Sequence, residues 1–167
     1  EQVPTSGGDT LFASMYAAYE ALSGRLQRFL GELTAVHDGQ QYYVGRYGGR
    51  DLRDGAYPSA EHPAVRTHPV TGRQALYVNE GFTTGFKELK QAESDALLAF
   101  VLKHCAAPEF QCRFRWRQNS IAFWDNRCTQ HHAIWDYYPQ TRHGYRVTIQ
   151  GDRPYYDPTS APASLKA

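Results

Sequence analysis

The residues best equipped for chemistry fall in the last third of the chain, between Trp124 and Pro154. That segment holds the doublet His131-His132, the run Trp124-Asp125-Asn126-Arg127, and the arginines Arg142 and Arg146. If Asp136–Pro139 turns a hairpin, His131 and Arg146 fall nearly opposite each other on antiparallel strands. Arg142 and Arg146 are four apart, so a continuous strand would place both on one side, ~13 Å apart along the backbone. One imidazole and two guanidinium groups on a shared concave face suit a metal centre flanked by grips for anions. Guanidinium binds carboxylate and sulfo groups through paired hydrogen bonds. Two surface arginines beside a strand histidine is the plainer account of the same residues. Adjacent strand residues face opposite ways, so at most one of His131 and His132 can enter a given pocket.

Other groups carry less. His37, His62, His68 and His104 fall in loops or at element ends without a carboxylate at ligand spacing, and no H-E-x-x-H, H-x-D or H-x-E occurs. Cys105, Cys112 and Cys128 are odd in number and contain no C-x-x-C pair, which argues against a disulfide framework and a thiolate zinc site. Gly7-Gly8 lacks the lysine and spacing of a phosphate-binding loop and reads as a turn. Between residues 110 and 117, Phe110, Cys112, Phe114 and Trp116 alternate with Gln111, Arg113, Arg115 and Arg117. Aromatic and arginine alternation could stack and hold single-stranded nucleic acid. A formal net charge of +1 favours the other account, a strand with one core face and one solvated face.

These groups need elements to hold them. Leu11 to Leu33 shows apolar residues at helical spacing, with Asp9 or Thr10 as cap and a break at Ser23-Gly24. Residues 38–63 have no period and predict a long surface loop. Short strands are predicted over Ala64–Thr67 and Gln74–Asn79, joined by a turn at Pro69–Gly72. Ala92–Cys105 predicts the clearest helix, with Lys103 and His104 suited to its C-terminal end. The period then switches to 2, and strands are predicted over 110–117, Ile121–Asp125, Thr129–Ala133 and Tyr145–Gln150. Helices early and strands late indicate an α+β or sandwich-type domain rather than a doubly wound one.

Length and composition agree. At 167 residues, 41% hydrophobic and 21% charged, the chain is sized for one domain with its own core. Its longest apolar run, Ala96 to Leu102, is far short of a membrane span. The expectation is a cytoplasmic protein that binds neither membrane nor nucleic acid. Glu1-Gln2-Val3-Pro4 has neither the basic nor the apolar region of a secretory signal.

Four stretches then carry a resemblance. They are Gly7-Gly8-Asp9-Thr10, Glu61 through Pro69, Tyr77 through Thr84, and Trp124-Asp125-Asn126-Arg127 onward to Arg146. In this order they resemble the C-terminal part of the taurine dioxygenase/TfdA family of Fe(II)- and 2-oxoglutarate-dependent dioxygenases. The resemblance implies an α+β, mainly β fold, a double-stranded β-helix (jelly roll) with flanking helices. It implies that His131 is the distal histidine of the iron site. It likewise implies that Thr10 and Arg142 hold the far carboxylate of 2-oxoglutarate, that Arg146 grips the anionic head group of the substrate or assists at the cosubstrate, and that Phe82 lines the substrate pocket. His132 stands where several relatives have an aromatic residue.

In that family two histidines and one carboxylate hold the metal, leaving three positions for cosubstrate and dioxygen. The first histidine and the carboxylate come from an H-x-D motif upstream of the Gly-Gly-Asp-Thr turn, and these residues contain none. The expectation is therefore a C-terminal portion of one dioxygenase domain over residues 1–156, with a disordered tail over 157–167. The implied reaction hydroxylates a small anionic substrate, such as taurine, another sulfonate or an alkyl sulfate, releasing succinate and CO2. A homo-oligomer is compatible with the resemblance. The alternative is a catalytically inactive module that uses Arg142 and Arg146 to bind a carboxylate.

Overall fold

The computed structural model describes residues 2–47 and 57–160. Strand β1 (Thr10–Ser14) runs directly into helices α1 (Met15–Glu20) and α2 (Gly24–Gly31). Next come β2 (Thr34–Asp38), α3 (Gly39–Tyr47), β3 (Ser59–Pro63), β4 (Val65–Thr67), β5 (Gln74–Leu76) and β6 (Thr83–Phe86). Helix α4 (Gln91–Cys105) and a short 3-10 turn lead to β7 (Gln111–Phe114) and β8 (Thr129–Ala133). The strands form antiparallel sheets in the orders β7-β1-β8, β3-β2-β6 and β4-β5.

Several expectations change. The helix predicted from Leu11 begins four residues later, because Thr10–Ser14 is claimed by strands on both sides. The cap is accordingly Ser14, whose Oγ accepts from Ala17 N, while Ser23 caps α2 through Leu26 N. The expected break at Ser23-Gly24 is where α2 starts. The loop predicted over 38–63 instead begins at the end of β2, passes through α3 and closes with β3, paired residue by residue to β2; residues 48–56 lie outside the described residues. Among the described residues the helices hold about as many residues as the strands, so "mainly β" overstates the sheet.

The strands predicted over 121–125 and 145–150 are absent. Extended backbone becomes a strand only when a neighbour takes up its N–H and C=O groups, and no ladder reaches these segments among the described residues. Their alternating apolar side chains, Ile121, Phe123, Tyr145, Val147 and Ile149, stand exposed. The last segment also differs from the frayed tail expected from residue 157. Asp157 N donates to Thr67 Oγ1 at 2.9 Å and Asp157 O accepts from Gln74 Nε2 at 2.7 Å, which seats this segment on the β4-β5 hairpin. Residues 161–167 lie outside the described residues.

The core gathers Met15, Ala18 and Leu22 of the α1 region, Leu30, Ala35, Val65, Leu76 and Val78, and Leu98, Val101 and Cys105 of α4. Helix α4 buries Ser94, Leu98, Val101 and Cys105, the i, i+4, i+7, i+11 stripe of one helical face. Ser94 Oγ also accepts from Phe86 N at 2.8 Å, fixing β6 to the helix.

Candidate functional site

The β7-β1-β8 sheet brings the predicted groups together through its register. Phe12 lies opposite His131 on β8 and opposite Cys112 on β7, while Thr10 lies opposite Ala133 and Phe114. Residues paired across antiparallel strands share a face, and alternate residues along a strand do too. Thr10, Phe12, Cys112, Phe114 and His131 therefore occupy one face, with Thr10 and His131 as diagonal neighbours roughly 7–8 Å apart. His132 pairs with Leu11 and falls on the opposite face.

His131 is exposed, with its ring set against those of Trp124 at 5.0 Å and Phe12 at 6.3 Å. Burial lowers its pKa from the ordinary histidine value, with the charge of Arg146 and then His132 adding to the shift. The imidazole is thus biased toward the neutral form that ligates metals. Its neighbour Gln130 donates to the carbonyl of Val78, tying β8 to the loop that precedes β6.

Thr10 is 4% exposed. Its Oγ1 accepts from Arg142 Nη2 at 3.3 Å and from Trp116 Nε1 at 2.9 Å, and the Arg142 guanidinium lies 5.5 Å from the centre of the Trp116 ring. Asp9, next in sequence, pairs with Arg113 at 2.6 Å and so does not compete for Arg142. The Gly7-Gly8 turn has a close-approach role. Both glycines have positive φ, and a side chain on Gly8 would meet Arg142 Cδ at 3.1 Å. Gly8 N donates to Asp136 Oδ1 at 2.7 Å, which binds this turn to the segment leading to Arg142.

Arg146 is exposed, and its segment is not the continuous strand that would align it with Arg142. Phe82 lies elsewhere, in the loop before β6, stacked on Tyr42 of α3 at 4.7 Å. Asn79 Oδ1 accepts from Phe82 N at 2.9 Å and shapes that loop.

Behind His131 stands a network that the sequence offered only as a motif. His68 Nδ1 accepts from the backbone N–H groups of Val70 and Thr71, so its proton sits on Nε2 and is donated to Asp125 Oδ2 at 3.0 Å. Asp125 also accepts from three N–H groups of Arg127, at 2.8 Å from the backbone N, at 2.9 and 3.1 Å from Nε, and at 2.7 Å from Nη2. Arg127, with His68 adding, holds the Asp125 carboxyl well below the usual carboxylate range. The chain of charges continues from Arg127 Nη1 to Asp152 at 3.5 Å and from Asp152 to the buried Arg66 at 2.8 Å. This lattice fixes the residue next to Trp124, the ring that packs on His131. Among the described residues the one grouping of three potential metal ligands is His68, Asp125 and Cys128. Its carboxylate is already occupied by a guanidinium, which is poor company for a cation.

Phe12, Trp116 and Trp124 were not among the residues expected to serve the site. Trp116 had a signal, being the last apolar position of the 110–117 alternation, which puts it on the face that carries Phe114.

Known proteins resemble this chain over most of its length. The sequence profile of the family described as "Taurine catabolism dioxygenase TauD, TfdA family" matches residues 1–148. An alpha-ketoglutarate-dependent sulfonate dioxygenase of Saccharomyces cerevisiae is 38% identical over 156 residues, covering 92% of this chain and 38% of its own length. An alpha-ketoglutarate-dependent sulfate ester dioxygenase of Pseudomonas putida is 36% identical over 162 residues, covering 90% of this chain and 53% of its own. The crystal structure of AAD-2 in complex with Mn(II) and N-oxalylglycine superposes with a TM-score of 0.78 at 29% identity, over 94% of this chain and 63% of that one. The chain thus spans about two-fifths to one-half the length of these curated relatives.

Proposed function

Since the chain belongs to the taurine catabolism dioxygenase TauD, TfdA family, we propose that it forms the cosubstrate-gripping part of an Fe(II)- and 2-oxoglutarate-dependent dioxygenase built on a jelly roll. The observation that supports this reading is the shared face of Thr10 and His131, with Arg142 donating to the Thr10 hydroxyl. In the proposal, Arg142 supplies the charge and Thr10 the O–H for the distal carboxylate of 2-oxoglutarate. A carboxylate between a guanidinium and a hydroxyl gains charge-assisted hydrogen bonds, and the hydroxyl is that of the buried Thr10. His131, its pKa lowered and its ring set against two aromatic rings, gives one nitrogen to the metal. That nitrogen is one ligand of three, and no carboxylate or second imidazole groups with it among the described residues. When bound, iron and 2-oxoglutarate supply the oxidative chemistry that hydroxylates a C–H bond and releases succinate and CO2.

The remaining residues orient and select. Arg146 faces the solvent near His131 and gives the anionic head group of the substrate a counter-charge, while Phe82 offers an aromatic wall. The names of the relatives point to sulfonates and sulfate esters as the substrate class. The second reading, an inactive carboxylate-binding module, is supported by the fact that among the described residues no group of three potential metal ligands includes His131.

The test is succinate formation from 2-oxoglutarate with Fe(II) and O2 across a panel of sulfonates, alkyl sulfates and aryloxy acids, with 2-oxoglutarate binding measured in parallel. Substrate-dependent succinate supports the oxygenase. Binding without turnover for every member supports the module, and absence of binding removes both.

A further inference from the structure

We propose that Trp116 is a positioning residue that aims the Thr10 hydroxyl proton at the bound carboxylate; this rests on the reading above that Thr10 and Arg142 grip a dicarboxylate. A threonine hydroxyl has one proton to give and two lone pairs to fill. At Thr10 both hydrogen bonds among the described residues are accepted ones, from Trp116 Nε1 at 2.9 Å and Arg142 Nη2 at 3.3 Å. An indole N–H can only donate. The Trp116 bond therefore blocks the rotamers in which Thr10 would receive a ligand and leaves its proton as the free valence. A buried donor without an acceptor costs about 1–3 kcal/mol, and Thr10 is 4% exposed. The site is thus arranged to want an anion, and it takes an acceptor in preference to a donor.

Trp116 is itself held. Its ring meets Phe114 edge-on at 4.9 Å, and the Arg142 guanidinium lies over its face at 5.5 Å. One side chain therefore contacts both members of the grip, orienting the hydroxyl by a hydrogen bond and the guanidinium by a cation–π contact. Loss of the indole should let the Thr10 hydroxyl rotate, so that its proton is no longer aimed at the ligand, and should loosen Arg142 as well.

The test uses the full chain labelled with ¹⁵N, titrated with 2-oxoglutarate and with glutarate, each without metal. The indole resonance of Trp116 is assigned by its disappearance in Trp116→Phe. It should shift on titration with either dicarboxylate, whereas that of Trp135, which is 70% exposed, should not. Trp116→Phe should raise the dicarboxylate Kd roughly 5–10-fold, the loss of about one hydrogen bond. Thr10→Ser should keep the Trp116 response and Thr10→Val should abolish it. Since the wild-type titration needs no variant, misfolding of Trp116→Phe does not decide the matter. Dicarboxylate binding with an unmoved Trp116 resonance overturns this inference and leaves the function proposal standing. Absence of binding to the wild type overturns both.

Discussion

The buried arginine Arg66 allows the sharpest prediction about this fold. It is 1% exposed, its Nη2 lies 2.8 Å from Asp152 Oδ2, its Nε has no partner among the described residues, and its guanidinium lies 5.1 Å from the centre of the Tyr77 ring. Asp152→Ala removes the carboxylate and strands a desolvated charge beside that ring. Breaking a buried pair from one side costs about 3–5 kcal/mol. Asp152 is 31% exposed, so water reaching the freed guanidinium reduces this to about 2–3 kcal/mol. For a chain of this size that is a fall in Tm of roughly 5–10 °C. Asp152→Asn keeps an acceptor and should cost about half as much. Arg66→Met/Asp152→Ala should be more stable than Asp152→Ala alone, because the stranded charge is gone. Urea unfolding of these four proteins measures all of this. Asp152→Ala within about 0.5 kcal/mol of wild type, or a double variant no better than the single, would refute the account of Arg66 as a paired buried charge.

Three further predictions follow different groups. Arg142→Ala should weaken 2-oxoglutarate binding by about 10–150-fold, the range of a charge-assisted hydrogen bond, and by more than Arg146→Ala does; equal affinities in titrations of both variants would contradict the roles assigned. Asp125 has a folded pKa below its unfolded value near 4, so the stability it contributes is present above that value and drains away as pH falls below it. Asp125→Asn should therefore flatten the acid limb of a stability-against-pH curve, and parallel curves would show the network carries no linkage. His37, lowered to about 4 chiefly by burial and then by His62, contributes stability fully present above the unfolded value of about 6.5 and lost as pH drops toward 4. Its imidazole proton resonance should titrate near pH 4, and a midpoint above 6 would place the ring in solvent.

Much of the site was legible because its chemistry is local to short runs. Trp124-Asp125-Asn126-Arg127 closes on itself through the Arg127–Asp125 bonds, so residues two apart in sequence make contact whatever surrounds them. The same holds for α4, whose stripe of apolar residues was visible as a period and became the buried face. The misreadings arose where a local pattern lost to a distant partner. Leu11–Ser14 fits a helix by spacing, yet β7 and β8, about a hundred residues later, pair with it and extend it. At Ile121–Asp125 and Tyr145–Gln150 the failure ran the other way, since period-2 patterns were present but no neighbouring strand among the described residues met them.

By itself the sequence determined which side chains could act: a histidine able to ligate, arginines able to hold anions, a glycine pair able to turn sharply. It also determined the family, through runs of residues in a set order. Only the tertiary structure decided that Thr10 is a strand residue sharing a face with His131, and that Trp116 reaches its hydroxyl. Register between β1 and β8 places those groups, and register is a property of two chain segments meeting, which neither segment states alone.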